Sequence, residues 1–578
     1  MGFGLKQICM ITAVGTGVIA GVAIASRNDY STEKMWNKTK KNVVQMTKRA
    51  TKIINSKKNE VIEVEKSDSE TLMAASLARV IDVVLEDSEI IVANENTNAS
   101  NTTEDSTESH KIITLPSINQ IYYTQDVCSN LFFINCDLDN AKLRKSLENL
   151  LNTYGVLSGR LIKNKKTDLY EVSLNNKGVF FSMVKYDGNM SDILPNVKEN
   201  NLSPNYSNLF GQDYSLSQYV SLSLPILQIR ITHFNDNKTC IGVRYPTIIA
   251  DITSISKFIE DWSVLYRGEE IQKATVFNFN WISQVVKASD NNVLPITYQP
   301  LAFNKIKSVK WVKLAFQMVY EWIVDGGFQT KSFFISDEQL EKLRDQVIAD
   351  AKFANEKQAP AQSSTTDATT DATAAADSSN IDWISDKDVL IAHIWKKISI
   401  IPRKVAFSNR VFKCNNLRKY VDDIENVFGN MNVYSVTPLT YITLLSPLYH
   451  LSKKIHTSII NFSFQLDNLL QWINGQENSE LPLIGVPAVL YGKHSDLLVD
   501  DLEVDRSNIR FNSSDNEKES DVVWIYKEFK PSIPNCLNIV RTSEISSNTQ
   551  KGYYIYLTLS RLDMNAFINQ GGIYIMIK

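Results

Sequence analysis

The chain has 578 residues, 43% of them hydrophobic and 10% aromatic, a globular composition with enough length for two or three domains. A formal net charge of −3 excludes a general electrostatic argument for nucleic-acid binding. The six cysteines, Cys9, Cys128, Cys136, Cys240, Cys414 and Cys536, have no C-x-x-C or His-linked spacing, so neither a metal site nor a disulfide framework is signalled and a reducing compartment is expected.

Ile8 to Ser26 carries no charge and as a helix would span about 28 Å, close to the hydrocarbon thickness of a bilayer. Ala23-Ile24-Ala25 has the form of a signal-peptidase site, yet only Lys6 precedes the apolar run while Arg27 and a series of lysines follow it. That asymmetry predicts an uncleaved anchor over residues 1–30, with the body of a single-pass protein facing the cytosol from the mitochondrial outer membrane or the endoplasmic reticulum. Residues 34–58 are basic and amphipathic, with Trp36, Val43, Met46 and Ile53 on one stripe. They suit either an anionic lipid surface or an ordinary solvated helix. A second helical pattern, Leu72 to Leu85, precedes an Asn-, Thr- and Ser-rich stretch, so residues 31–110 read as basic helix and disordered tether.

From about Ile112 the pattern is that of a folded body. Leu143, Leu147, Leu150, Leu151 and Tyr154 form a helical stripe leading into Val156-Leu157-Ser158-Gly159-Arg160-Leu161. Leu227, Ile229 and Ile231 alternate with polar residues, Asn235-Asp236-Asn237 supplies a turn, and Ile241, Val243 and Tyr245 resume the period of two until Pro246. The same alternation puts His233 on the core face of its strand. After Asp251, residues Ile255, Phe258, Ile259, Trp262 and Leu265 fall at helical spacing, with Asp251 or Thr253 placed as N-cap. Lys310 to Val324 is amphipathic, and a Thr-Thr-Asp-Ala-rich stretch within 355–380 reads as an exposed insertion.

The order of these segments resembles the BAHD acyltransferases, CoA-dependent enzymes with the chloramphenicol-acetyltransferase-like fold. Their His-x-x-x-Asp-Gly motif overlays Thr247-Ile248-Ile249-Ala250-Asp251-Ile252, so the Asp matches while the His and Gly do not. The segment from Ile384 to Trp395 is similar to the family's Ser-Thr-x-Asp-Ala-Leu-x-Ala-x-Ile-Trp helix. Phe407-Ser408-Asn409-Arg410 overlays Val-Asp-x-Arg, and Phe428-Gly429-Asn430 overlays Phe-Gly-Asn. Of the second signature, Asp-Phe-Gly-Trp-Gly, only the Phe is kept, as Phe511. Pro534 to Ile539, Gly552 to Leu559 and Asp563 to Phe567 are similar to the closing strands and helix.

The resemblance implies a two-lobed α/β fold of mixed sheets with flanking helices, which the apolar run at 8–26 would place behind an N-terminal transmembrane helix. The lobes are expected at 111–270 and 331–578, joined by a crossover at 271–330. It also implies that Asp251 pairs with Arg410 as a structural contact, and that an acyl-CoA or a hydrophobic small molecule occupies the space between lobes, with no covalently bound cofactor and no metal. In the family the motif His takes the acceptor's proton. A threonine hydroxyl does not titrate near neutral pH, and general-base help is worth roughly 10² to 10⁴ in rate. The expectation is a membrane-anchored acyltransferase homologue impaired in catalysis. An active O- or N-acyltransferase with another base and a membrane-bound interaction scaffold are the alternatives.

Overall fold

The computed structural model describes residues 83–93, 111–116, 118–119, 127–288 (apart from 168, 196–204, 274 and 279), 303–305, 325–358, 384–401, 408–440, 446–477, 485–487, 496–512 (apart from 502, 503 and 505), 520–530, 535–541 and 551–573. All of these lie in one compact unit, formed by Ile81–Lys305 and Val324–Lys578. The expected anchor at 8–26, the basic segment at 34–58, the amphipathic stretch at 310–324 and most of the insertion at 355–380 fall outside the described residues. Among the described residues no helix is long and apolar enough to cross a membrane.

The first half of the body contains β1 (Val83–Ile91), β2 (Ile112–Thr114), β3 (Val127–Ile134), α1 (Asn140–Thr153), β4 (Arg160–Lys163), β5 (Tyr170–Ser173) and β6 (Val179–Tyr186). It continues with α2 (Leu216–Ser221), β7 (Gln228–His233), β8 (Thr239–Pro246), α3 (Ile252–Tyr266), α4 (Trp281–Ala288) and β9 (Phe303–Lys305). The second half runs β10 (Phe328–Ser336), α5 (Asp337–Gln358), α6 (Asp386–Ser399), β11 (Ser408–Asn416), β12 (Asn432–Thr440) and α7 (Leu448–Glu477). It closes with β13 (Gly485–Pro487), β14 (Leu497–Asp501), β15 (Val522–Lys527), β16 (Cys536–Arg541), β17 (Gly552–Ser560) and α8 (Arg561–Asn569).

Two six-stranded mixed sheets organise these elements, in the orders β1-β6-β7-β8-β3-β15 and β10-β17-β16-β14-β11-β12. The predicted hairpin is β7 and β8, paired antiparallel from Gln228↔Arg244 to His233↔Thr239. Its apolar alternation buries Ile229, Ile231, Ile241 and Val243 against α1 and α3, where Leu143, Leu147, Leu150, Ile255, Phe258 and Trp262 form one continuous core. A second core under the other sheet joins Leu390, Ile394 and Trp395 of α6 to Leu537, Ile555 and Leu557. Gly242 marks a close approach: a Cβ there would stand 2.1 Å from the Leu209 carbonyl oxygen, so only glycine lets that loop lie on the sheet.

Three expectations need correction. Residues 83–85 are not helical but open the edge strand β1, which pairs with β6, so the first sheet begins inside the stretch expected to be tether. Strand pairing with β6 through Val83↔Tyr186 and Val84↔Lys185 outweighs the local helical pattern. The lobes are also not separate in the chain, because β15, from the second half, pairs antiparallel with β3 of the first sheet. Finally, His233 is half-buried at the turn end of β7, where its ring nitrogens bond Asp137 Oδ1 at 2.9 Å and Asn140 Oδ1 at 2.8 Å. Strand-end geometry, rather than alternation, decides its surroundings.

Replacing Gly242 with alanine should destabilise the chain by about 1–3 kcal/mol through overpacking. Urea unfolding of the variant would measure it, and an unchanged midpoint would mean that the Leu209 loop yields without cost.

Candidate active site

Pro246 ends β8, and residues 247–250 form a tight turn closed by the Ile249 N–H donating to the Pro246 carbonyl at 3.0 Å. Asp251 then caps α3: its Oδ1 accepts the Ser254 N–H at 2.8 Å, as expected from sequence. Its Oδ2 accepts from the Met431 N–H at 2.9 Å and from Arg418 Nη1 at 2.7 Å. Both side chains are out of water, with exposures of 1% for Asp251 and 7% for Arg418.

Arg418 does more than balance that charge. Its Nη2 donates to the Val427 and Gly429 carbonyls at 2.8 and 3.0 Å and to Ser254 Oγ at 2.8 Å, while Nε donates to Val427 at 3.1 Å. Ser254 Oγ donates to the Gly429 carbonyl at 2.8 Å, and the Asp251 N–H donates to the same oxygen at 3.3 Å. Gly429 has φ +151°, a conformation that side-chain-bearing residues rarely adopt. The turn's carbonyls are held as well, Thr247 by the Asn430 amide at 3.1 Å and Ile248 by the Asn119 amide at 3.0 Å.

The expected pairing of Asp251 with Arg410 is therefore corrected: Arg418 is the partner. Arg410 lies inside β11 opposite Pro438, and its guanidinium and backbone N–H bond the Asp496 carboxylate, with Nη2 at 2.5 Å. Arg410 lies six positions before the end of β11 at Asn416, about 20 Å at strand rise. Arg418 follows that strand end in a single turn of 3₁₀ helix, Leu417–Lys419, and so reaches Asp251. The overlay on residue type selected the wrong arginine. Proximity to Phe428-Gly429-Asn430, which shares the same knot of bonds, was the signal for the right one.

Thr247 is half-buried, with Oγ1 3.7 Å from the Cys128 thiol on β3. Burial pushes that thiol up, against an opposing pull from Lys527, so it stays neutral. Lys527 on β15 reaches across to the second sheet, its Nζ 2.5 Å from Asp500 Oδ2 on β14. Burial, the largest single influence, would lower the Lys527 ammonium, but the charge and hydrogen bond of Asp500 together with the nearby Cys128 and Cys414 outweigh it, and the group is held above its usual range. Phe511, the kept residue of the second signature, packs on Trp262 and Tyr266 of α3 and forms part of the core.

None of the described histidines stands at the turn. His393 bonds the Ile573 carbonyl at 2.9 Å, and His456 contacts Asp388 at 3.0 Å. His110 and His494 lie outside the described residues. Among the described residues no cluster of His, Cys, Asp and Glu could hold a metal ion.

Residues 82–572 match the model of the Transferase family. Over 196 residues the chain is 27% identical to vinorine synthase of Rauvolfia serpentina, which is 32% of this chain and 44% of that enzyme. The chain spans less than half the length of the curated relatives it matches. The crystal structure of vinorine synthase superposes with a TM-score of 0.50 at 15% identity, over 84% of this chain and 96% of that one. The structure of F. graminearum TRI101 complexed with coenzyme A and T-2 mycotoxin superposes with a TM-score of 0.55 at 10% identity, over 79% and 97%. These structural likenesses show a shared fold.

Two predictions follow from the geometry. Asp251→Ala or Arg418→Ala should each cost about 3–5 kcal/mol, and the double variant should cost clearly less than the sum. Asp251→Ala combined with Arg410→Ala should instead be additive. Chemical unfolding of the five variants measures both cycles, and coupling in the Arg410 cycle alone would reverse the assignment. The second concerns His393, whose burial lowers it to about 4, below the unfolded value near 6.5. In that window the unfolded chain binds the extra proton, so this contribution is complete above pH 6.5 and is lost as pH falls through about 4, amounting to about 3 kcal/mol. Unfolding free energies between pH 4 and 7 should show this slope in the wild type and a flatter one in His393→Gln.

Proposed function

We propose, for a chain that belongs to the Transferase family, the BAHD acyltransferases, that it binds an acyl-CoA between its two lobes and transfers the acyl group only slowly. The observation that carries this reading is the chemistry around Thr247. At the position aligned with the family's base stands a hydroxyl beside a neutral thiol, and neither takes up a proton near pH 7. Binding draws support from the TRI101 structures described as complexes with coenzyme A, from the shared fold, and from the built turn with its buried Asp251. The reading extends to the N-terminus: residues 8–26 anchor the chain in a mitochondrial outer or endoplasmic reticulum membrane, residues 34–58 lie on its anionic surface, and the body faces the cytosol.

Thermal melts with coenzyme A and its acetyl thioester test the binding half. A ligand at about 100 times its dissociation constant should add roughly 2.7 kcal/mol. Turnover of acetyl-CoA with a panel of alcohols, corrected for hydrolysis, tests the other half. Thr247→His should raise the rate, by up to about 10² if the imidazole meets the acceptor, the lower end of general-base help. Thr247→Ala should change it little. A wild-type rate well above background that collapses in Thr247→Ala would make the threonine a participant and overturn the impaired reading. No melt shift and three background rates would favour a membrane-bound scaffold.

A further inference from the structure

One face of the first sheet carries a line of polar groups that the Asp251 knot does not use. Tyr245 of β8 stands opposite Cys128 of β3, and Asn130, two residues on, stands opposite Lys527 of β15. Opposed residues of an antiparallel pair share a face, and the period of two adds Cys128 to Asn130, so all four belong to one surface. Thr247 joins it through its 3.7 Å contact with Cys128. Diagonal neighbours such as Lys527 and Cys128 are about 7–8 Å apart, within reach of a lysine stem.

Two donors on this surface point to a ligand. The Tyr245 hydroxyl donates to Asn130 Oδ1 at 2.8 Å, and Nδ2 is the amide's remaining group. That nitrogen is fully buried and has no acceptor among the described residues. Leaving such a group unpaired costs about 1–3 kcal/mol, and native structures rarely do so without cause. Lys527, whose backbone pairs with that of Asn130, carries an ammonium with three N–H groups, of which the bond to Asp500 uses one.

We propose that Lys527 and Asn130 together receive the carbonyl oxygen of the acyl thioester, and that the site consequently serves acceptors already nucleophilic at neutral pH, amines of low basicity such as hydroxylamines, ahead of alcohols. This rests on the acyl-CoA reading above and gives it an acceptor class. The amine nitrogen attacks the carbonyl carbon and the π pair moves onto oxygen, where the two donors hold it. The carbonyl then re-forms, the C–S bond breaks with its electron pair leaving on sulfur, and the proton lost from nitrogen ends on that thiolate, giving an amide and free coenzyme A. Because Asp500 keeps Lys527 protonated, the lysine acts as donor and not as base. Alcohols need a base that this surface lacks, whereas such amines do not.

The test uses the full chain with acetyl-CoA labelled with ¹³C at the carbonyl. Removing Lys527 alone would leave the half-buried Asp500 without its cation, so the variants are Lys527→Met with Asp500→Leu, and Asn130→Leu, each checked for folding by circular dichroism. In infrared difference spectra the bound carbonyl band should lie lower in the wild type than in either variant, with coenzyme A affinity little changed. Turnover with hydroxylamine should fall by about 10² in kcat and little in KM, the usual loss for one oxyanion donor. Identical bands and kcat values in wild type and both folded variants would overturn the donor pair while leaving acyl-CoA binding intact. Alcohols consumed as fast as hydroxylamine would overturn the acceptor class. Failure of the wild type to bind acetyl-CoA at all would remove the acyl-CoA reading and this inference with it.

Discussion

A single buried carboxylate determines where the site lies. Asp251 caps the helix that follows β8 and at the same time receives Arg418 and the Met431 N–H from the segment between β11 and β12. One face of this contact belongs to the first sheet's hairpin and helix, the other to the connection between the last two strands, β11 and β12, at one edge of the second sheet. Because Arg418 also holds two carbonyls and Ser254, every oxygen in the knot has a donor, the condition under which a buried charge stabilises rather than costs. The turn at 247–250 is stretched between this knot and β8, with two of its carbonyls tied to Asn430 and Asn119. Thr247 is therefore held in place from both lobes.

A second joint lies along β15. This strand extends the first sheet while its side chains engage the second: Lys527 meets Asp500, Trp524 packs edge-on to Tyr554, and Tyr526 packs edge-on to Tyr556. The strand's register against β3 sets Lys527 opposite Asn130, and β3's register against β8 sets Cys128 opposite Tyr245. Relative positions of groups from three distant parts of the chain are thus fixed by backbone pairing, whose one-residue slip would turn all of them to the other face.

The parts of this arrangement that were legible in the sequence are those governed by local rules. The hairpin of β7 and β8 followed from alternation, the start of α3 from the capping aspartate, and the family from the order of short segments. The errors have non-local causes. Arg410 and Arg418 are the same residue type eight positions apart, and only the length of β11 decides which of them clears the strand and turns toward Asp251. Residues 83–85 carry a helical pattern that pairing with β6 overrides. His233 sits in phase with a core face, yet it closes the strand beside Asp137 and Asn140. The face shared by Asn130 and Lys527 was invisible for the same reason, since residues 397 positions apart in the chain are brought together there by strand register.

The two polar groups at the heart of the site differ in what they say about function. Breaking the Asp251 and Arg418 pair would cost about 3–5 kcal/mol out of the 5–15 kcal/mol that keeps a domain folded, so stability alone accounts for its presence whether or not the protein catalyses anything. Asn130 offers no such account. Its Nδ2, which has no partner among the described residues, weakens the fold, and an apolar side chain of similar volume in that buried place would remove the cost. Lys527 is costly to bury for a similar reason and is kept charged by a partner from the other sheet. The proposed donor role would account for both costs beside Thr247, because a polarised carbonyl oxygen is a group that such donors fit.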